Sequence, residues 1–243
     1  MGQHREDLRG KGRLSAMHLD ILSAGAAKAA VICACADLGV VPGGAFGAVG
    51  AMQDKLLAGE PCDVILLTRA MIDALADSGK VVAETLADLG RVKTGVAVKK
   101  GTPRPNVSRA QTLASALLGA EEIYVPDLRK STAGKHIANV LAELGIAAEV
   151  ADRIREFPNG AAAMRAMADA PGLYSIGCTQ VSEILYTEGA ELVGALPDEF
   201  ELSTLYSAAA CANAADRTAA RNFVLFLTGD STQRMRRKAG FEA

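Results

Sequence analysis

Short apolar runs of strand length alternate with Ala-rich segments of helical composition along most of this chain, and that alternation limits the folds open to it. Residues 18–22, 63–67, 91–99, 122–125, 174–177 and 204–211 read as strands. Residues 26–38, 47–57, 70–78, 108–118, 133–144, 160–168, 181–185, 214–227 and 231–238 read as helices. Strand, helix and strand in succession is the pattern of parallel sheets joined by crossover helices, so an α/β fold is expected. The Pro-containing turn at 101–105 and the strand-like passage between Leu192 and Cys211 mark two places where the chain crosses between lobes. The expected organisation is a flexible leader at 1–16, one discontinuous lobe from 17–98 and 196–243, and a second lobe from 99–195. Each lobe is expected to hold a largely parallel sheet, with a ligand cleft between the two. Residues 39–44, which include Pro42, read as a helix stop and glycine-rich turn that shortens the second strand.

Half of the 243 residues are hydrophobic and 22% are charged, enough apolar side chain for a substantial core. Aromatics make up 4% and tryptophan is absent, so few side chains could stack on sugars or bases. A formal charge of −2 supplies no field for polyanions, and nucleic acid is not an expected partner. Any anion must be captured locally. The longest apolar runs, at 64–67 and 223–227, are too short to cross a bilayer, so membrane insertion is not expected.

The opening residues mix both charges, with no apolar stretch of signal-peptide length before Leu19. As the sequence stands, this predicts a cytoplasmic protein; a lost signal would make it periplasmic. Cys33, Cys35, Cys62, Cys178 and Cys211 are odd in number and mostly set in apolar or Ala-rich surroundings. They read as free thiols of a reducing compartment rather than a disulfide framework. Cys33 and Cys35 point to different sides of a helix and do not suit one metal; no metal and no cofactor is expected. The oligomeric state stays open.

Chemistry concentrates where strands hand over to helices. At Ser23-Ala24-Gly25-Ala26, at 127–134 and at the glycine-rich stretch 43–50, small or hydroxylated residues open a helix. Unpaired amides there, with the positive end of the helix dipole, can hold an anion without a basic surface. Ordinary helix capping explains each stretch taken singly. Lys28, Lys130, Lys135 and His136 lie beside these turns and could add charge-assisted hydrogen bonds. His136, one turn inside its helix, could carry a proton. Thr179 and Gln180 form a polar turn before another helix, where Ser182 and Glu183 read as capping or solvating groups. No nucleophile elbow, Walker loop, paired-His zinc motif or dinucleotide fingerprint is present.

Several stretches resemble the molybdate-binding-protein-like branch of the periplasmic solute-binding proteins. They are residues 21–26, 46–50, 57–64 with its Ala-Gly-Glu-Pro-Cys-Asp-Val turn, 95–98, 127–134, 176–183, 223–227 and 239–242. The resemblance covers nearly all of 18–243 and implies the type II periplasmic-binding-protein-like fold, two lobes joined by two crossing segments. It places a small anion, an oxyanion or a di- or tricarboxylate, against Ser23, Ala24, Gly25, Val49 and Gly50 in one lobe. From the other it implies Ser131, Thr132, Ala133, Gly134, Thr179 and Gln180, to which the reading of the turns adds Lys28 and His136 as ligand-binding candidates. This chain has Ala48-Val49-Gly50 where molybdate binders carry serines, and lacks their tyrosine at Thr179-Gln180. Those departures point to an organic carboxylate in preference to molybdate. Aconitate isomerase resembles the same branch, which keeps a cytosolic isomerase of an unsaturated carboxylate open as the alternative. Such an enzyme needs an acid and a base, for which His136 and Lys28 lead, with Glu183 as a third candidate. A sensor or regulatory subunit is a further possibility.

Overall fold

The computed structural model describes residues 17–242, so the leader expected at 1–16 lies outside the described residues. β1 (Met17–Ala24) buries Leu19, Ile21 and Leu22 completely, and passes through one 3-10 turn into α1 (Lys28–Leu38). Burial of side chains of this size is worth roughly 1.5–3 kcal/mol each. α1 ends where Gly39 adopts the left-handed conformation that an L side chain resists. β2 (Val40–Gly47), α2 (Val49–Leu57), β3 (Val64–Thr68) and α3 (Arg69–Asp77) complete the first run. All residues of β3 except Thr68 are buried, as the apolar run at 63–67 requires.

β4 (Ala87–Lys99) is the longest strand, at 13 residues. After it come α4 (Ala110–Gly119), β5 (Ile123–Pro126), α5 (Thr132–Glu143), the short α6 (Ala147–Val150) and β6 (Ile154–Phe157). α7 (Gly160–Asp169), β7 (Ile176–Gln180), α8 (Val181–Tyr186) and β8 (Ala190–Ala195) follow. The chain then returns along β9 (Ser203–Ala210) and finishes with α9 (Arg217–Thr228) and α10 (Gln233–Lys238).

The first sheet runs β2-β1-β3-β9-β4, and the second places β4 between β8 and β7, with β5 and β6 beyond. β4 belongs to both. Its residues from Ala87 to Lys93 pair with β9, and from Thr94 to Lys99 with β7 and β8. β4 and β9 are therefore the two strands that carry the chain between lobes. One core gathers Ile21, Ile65, Leu66 and Phe223; the other gathers Leu113, Leu117, Ile123 and Ile137. A smaller cluster around Met164, Met167 and Ile184 lies in the second lobe. This is a two-lobed α/β fold in which the first lobe is discontinuous in sequence and the second is inserted into it.

Three expectations need correction. The sheets are mixed: β1 with β2 and β3, and β5 with β6 and β7, are parallel, but every pairing of β4 or β9 is antiparallel. The crossing strands impose this, because they must run back against their neighbours. The glycine-rich turn at 39–44 is instead most of β2, full length and at the sheet edge. An edge strand tolerates Pro42, and Gly44 is required at φ +84, where a Cβ would also lie 2.2 Å from the Ile21 carbonyl oxygen. Thr179 and Gln180 close β7 rather than forming a turn. Among the described residues no helix is long and apolar enough to cross a membrane.

Candidate functional site

The ends of β1 and β3 and the starts of α2, α5, α7 and α8 meet where the lobes face each other. Ser23, fully buried at the end of β1, donates its hydroxyl to the adjacent Ala24 carbonyl at 3.0 Å. No side chain caps the turn that starts at Gly25 or the α1 start behind it. α2 also lacks a side-chain cap; its N-cap is Ala48, and the Gly50 amide donates to the Lys130 carbonyl of the other lobe at 3.3 Å. Lys130 further pairs with Asp54 at 2.8 Å.

α5 is prepared locally. Asp127 accepts hydrogen bonds from the Arg129 and Lys130 amides, 2.8 Å each, and these hold its carboxyl below the usual range. Ser131, the N-cap, accepts from the Gly134 amide at 3.4 Å. Thr132 opens the helix beside the buried Tyr206 phenol, whose pKa is pushed up by burial and further by the nearby Glu183 charge. His136 directs Nε2 to the Phe200 carbonyl at 2.8 Å. A carbonyl can only accept, so Nε2 carries the proton and Nδ1 is the basic nitrogen.

Glu183 is the centre of the second group. Its buried carboxylate accepts the Thr179 hydroxyl at 2.6 Å and lies against the Gly160 backbone at the start of α7. Burial raises its pKa, and the Thr179 hydroxyl with the nearby Ala161, Gly160 and Gln180 amides only partly offsets the rise. Two glycines wall it in from opposite lobes. A Cβ on Gly25 would come 2.3 Å from Oε1, and one on Gly160 would come 2.0 Å from Oε2. Asn159 caps α7 by accepting the Ala162 amide at 2.9 Å.

The sequence-predicted residues therefore divide. Ser23, Ala24, Gly25, Thr179 and Gln180 surround Glu183 or adjoin its neighbours. Turned so that its amide nitrogen faces β4, Gln180 donates to the Val92 and Lys93 carbonyls, 3.2 Å each, and so grips the crossing strand. Val49, Gly50, Thr132 and His136 line a groove of about 560 Å³ between the lobes, together with Thr68 and Lys130. Ser131, Ala133 and Gly134 lie buried behind it at the α5 start. Lys28 is drawn aside: its ammonium lies 5.6 Å from the Phe46 ring centre and 5.1 Å from that of Tyr186. Sequence reasoning missed Gly160, Ala161 and Tyr206; it read Glu183 as a capping or solvating group and only third as an acid or base, whereas the side chain is buried between the lobes. The signal at α7 was Asn159-Gly160 ahead of three alanines, the same pattern as the other helix starts.

Comparison with known proteins agrees with the fold, which is of the type II periplasmic-binding-protein kind. The curated aconitate isomerase of a Pseudomonas species is 29% identical over 182 residues, which is 73% of this chain and 66% of the isomerase. This chain thus spans just under two thirds of that relative. The periplasmic molybdate-binding protein of Azotobacter vinelandii superposes with a TM-score of 0.74 at 16% identity, covering 93% of this chain and 99% of its own. The sulfate-binding protein of Mycobacterium tuberculosis superposes with a TM-score of 0.68 at 19% identity, covering 93% and 86%. Residues 41–242 match the sequence profile of the family described as bacterial extracellular solute-binding protein, and the chain belongs to that family.

Proposed function

We propose that this protein binds a small organic di- or tricarboxylate between its lobes, with the lobes closing around it. The observation that carries this reading is the Glu183 carboxylate packed against the start of α7 at Gly160, where a Cβ would lie 2.0 Å from Oε2. A tetrahedral oxyanion of the molybdate or sulfate kind needs donors on every side, yet one helix start already serves an internal carboxylate. An organic acid can place its carboxylates at the starts of α1, α2 and α5 and turn its carbon skeleton towards Glu183. Thermal-shift measurements and calorimetry with molybdate, sulfate, succinate, citrate and cis- and trans-aconitate test this. The carboxylates should raise the melting temperature by mass action and the tetrahedral anions should not; the reverse order rejects the proposal. Ser131→Trp should abolish binding in a protein that still folds, and normal binding by that variant removes Ser131 from the site.

The similarity to aconitate isomerase, together with a buried Glu183 of raised pKa, favours a second reading: isomerisation of an unsaturated carboxylate. A base removes a proton from one carbon, the double bond moves, and an acid returns a proton at the other end of the allyl unit. His136 Nδ1 suits the base and protonated Glu183 the acid. Incubation with trans-aconitate in deuterated water tests it by deuterium uptake and formation of the cis isomer. Loss of exchange with affinity retained in His136→Gln supports catalysis, and loss of affinity alone supports binding. Absence of exchange in the wild type ends the enzyme reading.

A further inference from the structure

At the end of the first lobe away from the cleft, ahead of β3 and just after β9, two thiols touch. The Cys211 thiol donates to the Cys62 sulfur with 3.4 Å between them, and the Cys62 thiol donates to the Val64 carbonyl at 3.3 Å. Both are buried, Cys62 at 9% exposure and Cys211 at 1%. The backbone fixes the pair: the Cys211 amide donates to the Asp63 carbonyl at 2.8 Å. The Asp63 carboxylate in turn accepts the Asp20 amide at 2.8 Å and the Ala215 amide at 2.7 Å. Neither sulfur has a role in anion binding.

We propose that Cys62 and Cys211 form an oxidisable site that a small-molecule disulfide such as oxidised glutathione converts to a cystine. A disulfide bond is about 2.05 Å long, so the sulfurs need approach by only roughly 1.4 Å. Cys62, the more exposed, attacks as thiolate, forms a mixed disulfide with one glutathione and releases the other as its thiol. Cys211 then loses its proton, attacks the Cys62 sulfur and displaces the second glutathione thiolate, which takes up a proton. Two protein thiols are oxidised and one glutathione disulfide is reduced to two thiols. The hydrogen bond to the Cys62 sulfur, and then burial, hold the Cys211 pKa far above the usual thiol range, so the exchange is slow in the closed fold. The new bond would join the two chain segments of the first lobe, 149 positions apart, and enclose the whole second lobe in its loop.

The test uses full-length protein carrying Cys33→Ser, which removes the exposed thiol. The protein is incubated with oxidised glutathione, unfolded in alkylating agent and mapped by peptide mass spectrometry. The expected result is a Cys62–Cys211 linked peptide lacking two hydrogens, without bound glutathione. A rise in melting temperature on the order of 5–10 °C, reversed by dithiothreitol, should accompany it. Free, alkylated Cys62 and Cys211, a persistent glutathione adduct on either, or linkage to another cysteine would overturn the proposal. Adding Cys211→Ala should leave Cys62 as a glutathione adduct and remove the thermal gain; a gain that survives this change equally overturns it.

Discussion

The Gly50 amide at the start of α2 and the Lys130 carbonyl ahead of α5 meet at 3.3 Å, backbone to backbone across the groove between the lobes. A Cβ at position 50 would lie 3.2 Å from that carbonyl oxygen, so glycine permits the approach. Lys130 reaches on to Asp54, and both side chains of that pair are more than half exposed. Lys130→Ala should leave the melting temperature near that of the wild type, because exposed pairs contribute little. It should instead favour the open form, seen as a larger radius of gyration of the unliganded protein in X-ray scattering. Identical scattering from both proteins removes the pair as a latch.

Gly160→Ala tests the seat of Glu183. The added methyl would lie 1.9 Å from the Thr179 hydroxyl and 2.0 Å from the Glu183 carboxylate, and Gly25 blocks retreat on the far side. The variant should lose about 1–3 kcal/mol by urea unfolding, the usual cost of overfilling a packed site. It should also lose carboxylate binding. Unchanged stability and affinity would mean that Glu183 can move freely.

Stability should depend on pH through Glu183. Its folded pKa is raised above the ordinary value of 4.5, so the folded protein keeps this proton at a pH where the unfolded chain has released it. The stabilising contribution is full below about 4.5 and is lost as pH rises through the folded value. Glu183→Gln removes the titration, so its urea stability should fall less than the wild type's from pH 4.5 upward. Parallel profiles for the two proteins would show that this carboxyl titrates alike in both states.

Much of this was legible in the sequence because helix starts are local. Ser23 to Gly25, Ser131 to Gly134 and Thr179 each announce a strand handing over to a helix within a few residues. Glu183 was legible only in part. Its position three residues after Gln180, in the first turn of α8, reads as that of a capping group. The Gly160, Ala161 and Gly25 neighbours that turn this cap into a buried interlobe carboxylate are distant in the chain, and no periodicity connects them. β2 was missed for the opposite reason. Pro42 and Gly44 are strong local punctuation, and only the place of the strand at the sheet edge lets them stand in it.

Asp63→Asn should destabilise the first lobe without touching the cleft. The nearly buried carboxylate holds the Asp20 and Ala215 amides, and an amide side chain would turn a donor towards one of them. A loss of about 1–3 kcal/mol in urea unfolding is expected, with carboxylate affinity unchanged for the folded fraction. A stability equal to the wild type's would show that water replaces the carboxylate at no cost.

The exchange of sheets within β4, and the return along β9, give the lobes unequal histories as the chain leaves the ribosome. Every paired residue of the second sheet lies between Thr94 and Ala195, so that lobe has its complete sheet before β9 has been made. The first lobe holds β1 and β3 early, yet β3 lacks its β9 neighbour until Ser203–Ala210 emerges, and Phe223 and Val224 of its core come later still. Synthesis from the N-terminus thus leaves the earliest strands with an open edge and an unfilled core while the inserted lobe folds. Exposure to aggregation should therefore peak in nascent chains that end between β8 and α9, and holdase chaperones should bind those lengths most strongly.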